Sequence, residues 1–219
     1  RSGGDGAPHA FRGPGPKVSL PTELMKLIVQ IPCFNEAETL PDVLADIPRS
    51  IEGVDEITVL VIDDGCSDDT ARVAREHGAE VVVRHRGNRG LAQSFLTGIE
   101  TALELGADVI VNTDGDHQYP GKYIPQLVAP VVRGEADLVI GDRQTQSDPK
   151  VAGIKKLFYR LGNSVMRGAT GSSVRDAPSG FRAMSRQFAL TLYLTNPFSY
   201  TLETIFTAAE NRQPIEEIP

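Results

Sequence analysis

Three short segments, residues 27–31, 57–62 and 109–111, are apolar at nearly every position, and each runs directly into a polar loop and then into a stretch with helical spacing. A strand that is apolar on both sides has to be covered on both faces. That requirement points to an α/β chain with a parallel sheet and helices packed above and below it. The alternation continues along the chain. Helices are expected over 35–46, over 67–77 with Ser67 as N-cap and Gly78 as terminator, over 90–105 with Leu91, Phe95, Ile99 and Leu103 on one face, and over 121–132. Strands are expected at 80–83 and 136–140. In the second half the pattern implies a basic amphipathic helix over 153–168, a loop over 170–180, helices over 185–194 and 199–210, and a last strand at 215–218. No internal repeat or linker divides the chain, so residues 25–219 read as one domain behind a flexible tail of residues 1–24. The first sixteen positions of that tail hold five glycines and three prolines.

In an open α/β sheet the ligand sits beyond the carboxyl ends of the strands. The polar clusters 32–36, 63–64 and 114–118 all follow strands, so the topology gathers them on one edge. Asp114 and Asp116 flank Gly115 and place two carboxylates in one loop. Carboxylates are hard ligands suited to Mg²⁺ or Mn²⁺, an ion that would bridge to a diphosphate and neutralise its charge. Gln118 adds a neutral oxygen, giving Asp114, Asp116 and Gln118 as the candidate metal set, with His117 as a further contact. Gly115 lets a phosphate or sugar approach the backbone. Alone, Asp-Gly-Asp is an ordinary solvated turn; its position after a buried strand, beside two other clusters, marks it as a site. Glu36, Asp63 and Asp64 suit hydrogen bonds from a base N–H or ribose hydroxyls, although helix starts and turns carry the same residues. Arg86 and Arg89 precede Gly90 at a helix start, where anions are favoured.

Charge narrows the function classes. With 22 basic and 29 acidic residues the net charge is −7, which argues against a general nucleic-acid binder. Cys33 and Cys66 make no disulfide framework and no zinc spacing, and they suit a reducing cytosolic setting. No segment reaches the ~18 apolar residues of a membrane span.

The segments Ile31-Pro32-Cys33-Phe34-Asn35-Glu36, Val61-Ile62-Asp63-Asp64-Gly65-Cys66-Ser67-Asp68, Asn88-Arg89-Gly90-Leu91, Asp114-Gly115-Asp116-His117-Gln118-Tyr119-Pro120 and Ser179-Gly180-Phe181-Arg182 occur in that order over residues 26–218. In these the chain resembles glycosyltransferase family 2, with its GT-A fold, a Rossmann-like and mostly parallel sheet with helices on both faces. Within that family it is similar to dolichyl- and polyprenyl-phosphate sugar synthases. The resemblance implies a metal-dependent, inverting transfer of a sugar from a GDP- or UDP-sugar to a lipid phosphate. It implies that Pro32, Phe34, Glu36, Ile62, Asp63 and Asp64, with Asp114, Gly115 and Asp116, hold the donor. Asp116, Arg143 and Asp176 are the candidates for catalysis, and Arg143, Lys156, Arg160 and Arg182 for the acceptor phosphate. A phosphate oxygen is already an anion and needs positive charge rather than a base. A saccharide hydroxyl would need a general base, and Asp176 is then the candidate. The basic helix, with Lys155, Lys156, Phe158, Tyr159 and Arg160, suits an anionic membrane surface and a peripheral place on its cytosolic face. A family 2 enzyme acting on a saccharide hydroxyl and a non-catalytic nucleotide-sugar-binding domain remain the alternatives.

Overall fold

Alternate residues of a strand face opposite ways, and the first strand shows why both faces must be covered. In β1 (Lys26–Cys33), Leu27, Val29, Ile31 and Cys33 pack into one core while Ile28 packs into another. In β2 (Glu56–Asp63), Val59 and Val61 divide from Leu60 and Ile62 in the same way. The computed structural model describes residues 24–143, 174–193 and 200–219.

One seven-stranded sheet runs in the order β3-β2-β1-β4-β6-β5-β7. Its other strands are β3 (Val81–Arg84), β4 (Val109–Asn112), β5 (Leu138–Gly141), β6 (Arg182–Ser185) and β7 (Ile215–Ile218). Helices α1 (Leu40–Asp46), α2 (Thr70–Glu76) and α4 (Ile124–Val132) cover one face through Leu40, Leu44, Ala74, Ile124 and Leu127. Helix α3 (Leu91–Glu104) covers the other through Phe95 and Ile99, joined by Phe188 of α5 (Arg186–Ala189) and Ile205 of α6 (Tyr200–Glu210). At about 1.5–3 kcal/mol for each fully buried large aliphatic or aromatic side chain, these two layers dominate the stability of the domain.

The expected α/β architecture is present, with differences at element ends. The helix expected from residue 35 begins at Leu40, because Asn35 takes a left-handed φ of 59° and the chain turns before α1. Ser67 does not cap α2; Asp68 does the local work, its Oδ1 accepting from Thr70 N at 3.1 Å. The stretch over 121–132 opens as a 3₁₀ turn, Gly121–Tyr123, before α4.

The larger correction is β6. The sequence pattern implies a loop over 170–180 and a helix over 185–194, and assigns no strand to residues 182–185. They instead form a strand antiparallel to both β4 and β5, and only Arg186–Ala189 is helical there. The segment hides from a periodicity reading because it is four residues long and begins with an arginine that is fully buried. The expected tail over 1–24 and the basic helix over 153–168, with Lys156 and Arg160, lie outside the described residues, apart from Leu24.

Candidate active site

The parallel strands β1, β2, β4 and β5 all end on one edge, and antiparallel β6 begins there. That geometry collects the loops at 33–39, 63–69, 112–118, 141–143 and 174–182. The first two are knitted together by hydrogen bonds. Asp64 N donates to Cys33 O at 2.9 Å, Ser67 N to Asn35 Oδ1 at 2.8 Å, and Glu36 N to Thr70 Oγ1 at 3.0 Å. The Cys66 thiol lies 3.5 Å from Cys33 O and donates to it. Both cysteines are free and buried, and burial pushes the Cys33 thiol well up from its ordinary value.

The acidic loop sits on the first loop. The Thr39 hydroxyl lies 2.8 Å from both Gly115 O and Glu36 Oε2. A side chain at Gly115 would meet Cys33 Sγ at 2.9 Å and Glu36 Cγ at 3.2 Å. The glycine therefore serves close packing against the first loop, whereas the sequence suggested room for a ligand. His117 takes a left-handed φ of 60° and turns to Asp46, with Nε2 and Oδ2 2.8 Å apart. Gln118 donates from its backbone N to Asp116 Oδ1 at 3.1 Å and from its amide to Oδ2 at 2.6 Å. It braces Asp116, and its nitrogen rather than the expected ligand oxygen faces the acidic loop.

Asp114 is different. No hydrogen-bond donor reaches its carboxylate among the described residues. Burial first, then repulsion from Asp116, pushes its carboxyl up to about 6, against the pull of Arg143. A half-buried carboxylate without a donor, beside a second carboxylate, is the setting a cation relieves. No cluster of three or more His, Cys, Asp or Glu able to hold a metal occurs among the described residues. Asp114 and Asp116 fit an ion of the Mg²⁺ type, which is held by one or two carboxylates with its other ligands from phosphates and water.

Several residues expected to line the donor are instead part of the framework. Pro32 and Ile62 are register partners in β1 and β2, both buried. Asp63 is 0% exposed, its Oδ1 accepts from Cys66 N at 2.7 Å, and its Oδ2 lies 3.3 Å from Arg84 Nε. That second approach is an ion-pair distance without hydrogen-bond geometry, since Oδ2 has no hydrogen-bond partner. Asp64 is buried and accepts from His85 Nδ1 at 2.7 Å, Arg89 N at 2.8 Å and Gly90 N at 2.9 Å. It secures the loop ahead of α3, and His85 passes the contact on to Thr97 Oγ1 at 3.0 Å. Phe34, half exposed, and Glu36 are the side chains of that set with surface to offer.

On the other flank Arg143 and Asp176 are brought together. Asp176 is 3% exposed, and its carboxylate accepts from Arg143 N at 3.0 Å, Nε at 2.8 Å and an Nη at 2.9 Å. A two-pronged pairing of this kind fixes the plane of the guanidinium. Beside it a cleft of about 580 Å³ is lined by Gln118, Tyr119, Tyr123, Arg143, Phe181 and Ile218, among others. Tyr119 and Phe181 stack with centroids 5.2 Å apart.

Arg182, expected at the acceptor phosphate, is not presented to a ligand. It is fully buried, with Nε donating to Ser179 O at 2.7 Å, Nη1 to Thr201 O at 2.7 Å and to Thr204 Oγ1, and Nη2 to Ala177 O at 2.6 Å. Burial pushes the guanidinium down to about 10. Sequence reasoning missed the polar layer beneath the acidic loop. Gln30 and Asn112 are register partners, and Gln30 Nε2 donates to Asn112 Oδ1 at 2.9 Å. Asn112 Nδ2 donates to Gly180 O at 2.9 Å, and Gly180 N donates to Tyr119 Oη at 3.1 Å. Gln30 and Asn112 inside apolar strands were the available signal, since buried amides need partners.

A Cβ at Gly180 would stand 2.9 Å from Tyr200 Oη and 3.1 Å from both Asp114 oxygens. Gly180→Ala is expected to push Asp114 aside and lower turnover by about 10–100-fold with the fold retained, as sub-ångström misplacement at a reacting centre does. Steady-state rates and a thermal melt check it; an unchanged rate would show that Asp114 does not need its present position.

Comparisons with known proteins bear on the family and the fold. The glycosyl transferase family 2 pattern matches residues 28–192. Undecaprenyl-phosphate mannosyltransferase of Micrococcus luteus is 31% identical over 205 residues, covering 89% of this chain and 82% of that protein. Dolichyl-phosphate hexose transferase of Haloferax volcanii is 30% identical over 199 residues, covering 88% and 81%. Among solved structures, glucosyl-3-phosphoglycerate synthase from Mycobacterium tuberculosis, in complex with Mn²⁺, UDP-glucose and phosphoglyceric acid, shares the fold with a TM-score of 0.68. It is 24% identical, and the match covers 88% of this chain and 69% of that one. With three quarters of its length matched and its strand-end loops in family order, the chain belongs to glycosyl transferase family 2 and is a glycosyltransferase of the GT-A fold.

Proposed function

We propose that this glycosyltransferase moves a sugar, with inversion, from a nucleotide-sugar donor to a polyprenyl phosphate, with a divalent cation at Asp114 and Asp116. The carrying observation is the pairing of opposite needs on one strand edge. Two carboxylates, one of them without a donor among the described residues, stand on the strand edge, and a guanidinium locked by Asp176 stands on the flank beside an aromatic-lined cleft. The names of the 30–31% identical relatives support the acceptor class. A bound cation would supply charge neutralisation for the departing diphosphate.

This chain's own residues divide the remaining work. Phe34 and Glu36 offer contact surface to the nucleoside, on a loop tied to the next one by Asp64 N, Ser67 N and Thr70 Oγ1. Arg143 receives the acceptor phosphate, whose oxygen is already ionised and needs no base. A saccharide hydroxyl would need one, and Asp176 is committed to Arg143 by three hydrogen bonds. Lys156 and Arg160 remain candidates for the same phosphate from outside the described residues. No helix among the described residues is long and apolar enough to cross a membrane; a peripheral position at the cytosolic membrane surface belongs to the proposal.

The test is transfer from radiolabelled GDP-mannose, UDP-glucose or UDP-N-acetylglucosamine to undecaprenyl phosphate in detergent, followed by partition. Label entering the organic phase supports the reading, and label confined to aqueous saccharide overturns it. Arg143→Lys keeps a charge for Asp176 but loses the planar fork. It is expected to raise the acceptor KM about tenfold and leave the donor KM within about twofold; the opposite pattern would move Arg143 to the donor side.

A further inference from the structure

The geometry points to Glu217, on edge strand β7, as the positioning residue that sets Arg143. This inference rests on the reading that Arg143 receives the acceptor phosphate. Strand β7 lies parallel to β5, with Gly141 opposite Ile218, so its last residues run alongside the strand that delivers Arg143. Asp142 N donates to Ile218 O at 2.7 Å, which ties the two strand ends at the site. Glu217 then reaches across to the 174–177 loop. Its Oε1 accepts from Arg175 N at 2.7 Å and Asp176 N at 2.8 Å, and its Oε2 from Arg175 Nε at 3.0 Å. The Glu217 side chain is 9% exposed, so its carboxylate and the bond from Asp176 N are shielded, while the Arg175 side chain stays 60% exposed. Arg175 also lies 3.6 Å from Asp142.

The consequence follows link by link. One carboxylate oxygen takes two successive backbone N–H groups, and that fixes the direction of the chain at Asp176. The direction of the chain aims the Asp176 carboxylate, and that carboxylate clamps Arg143 through its backbone N, its Nε and an Nη. Glu217 touches no part of the acidic loop in these contacts. Its influence is confined to the flank that carries Arg143, and it sets where the guanidinium stands rather than how the donor is held. A carboxylate is suited to this because it is acceptor-only and can serve three donors with two oxygens. Alanine serves none. Glutamine keeps one oxygen for the two backbone N–H groups but turns an NH₂ toward Arg175.

The experiment compares the parent with Glu217→Ala and Glu217→Gln, using undecaprenyl phosphate in detergent and whichever of the three labelled donors the parent accepts. Glu217→Ala is expected to raise the acceptor KM about tenfold and leave the donor KM within about twofold, with Glu217→Gln in between. A crystal structure of Glu217→Ala is expected to show Arg143 displaced from Asp176 and the Asp114–Asp116 loop unmoved. Equal shifts in both KM values, or none, with Arg143 still on Asp176, overturn the inference. If the parent does not label undecaprenyl phosphate, the acceptor reading falls by itself, and the position of Arg143 in the crystal structure decides for or against Glu217 as its positioning residue. If Glu217→Ala does not fold, Glu217→Gln takes its place in both measurements.

Discussion

Asp116→Asn is expected to lower sugar transfer by about a thousandfold, the several kcal/mol of transition-state charge stabilisation that the proposed cation would supply. Its melting temperature should stay close to the parent's, because Gln118 can still donate to the remaining oxygen. Asp114→Asn should be equally inactive, but its stability should rise. The Asp114 carboxyl is raised from 3.8 to about 6, chiefly by burial. A group whose folded pKa lies above its unfolded value binds a proton in the native state that the unfolded chain has released. Between pH 4 and 6 its contribution to stability therefore falls as pH rises, and above 6 the full penalty is present. Two units at ~1.4 kcal/mol each bound that penalty at about 3 kcal/mol. Asparagine carries no charge, so at pH 7.5 without divalent ions Asp114→Asn should melt a few degrees above the parent, as ~1–2 kcal/mol does in a domain of this size. Mn²⁺ with a nucleoside diphosphate should raise the parent's melting temperature and leave both variants unmoved. A fully active Asp116→Asn enzyme in chelator, or a Mn²⁺ response preserved in both variants, would remove the cation from this loop.

The melt and the rate are informative together because they separate the site from its scaffold, and the sequence read these two unequally. Strands β1, β2 and β4 were legible because parallel strands covered on both faces show as unbroken apolar runs, and the position of Asp114–Asp116 followed from topology alone. What single-position reading cannot see is which polar residues turn inward. Asp63 and Asp64 look like ligands for a nucleoside, yet each is buried and employed in loop structure. Their carboxylates meet partners up to 26 residues away. The Arg143–Asp176 pair spans 33 residues and the Arg175–Glu217 pair 42, distances at which no local pattern links the two ends. Strand β6 was illegible for the same reason, since its first residue is a charged side chain whose partners come from α6 and from the loop before it.

Arg182 therefore supplies the sharpest contrast between a residue's type and its employment. Read as an acceptor-phosphate ligand, it should tolerate alanine with an intact fold and a raised acceptor KM. In the structure it is wholly buried, and four donated bonds hold Ala177, Ser179, Thr201 and Thr204 around it. Three of those acceptors are main-chain carbonyls, and two of them belong to the buried residues Ala177 and Ser179. Arg182→Ala leaves the Ala177 and Ser179 oxygens without their donor at about 1–3 kcal/mol each, while Thr201 O keeps the Thr204 hydroxyl at 3.1 Å, and it opens a cavity between β6 and α6. The expected loss is on the order of 5 kcal/mol, enough to leave little folded protein at 37 °C from a domain of ordinary stability. Arg182→Lys retains the charge but not the fork, so it should melt lower than the parent while folding well enough to assay. Its acceptor and donor KM values should then move together, because the loop that borders Asp114 is loosened as a whole. A soluble Arg182→Ala protein with the parent's melting temperature and a selectively raised acceptor KM would return Arg182 to the phosphate and would mean that the loop over 174–182 opens in solution.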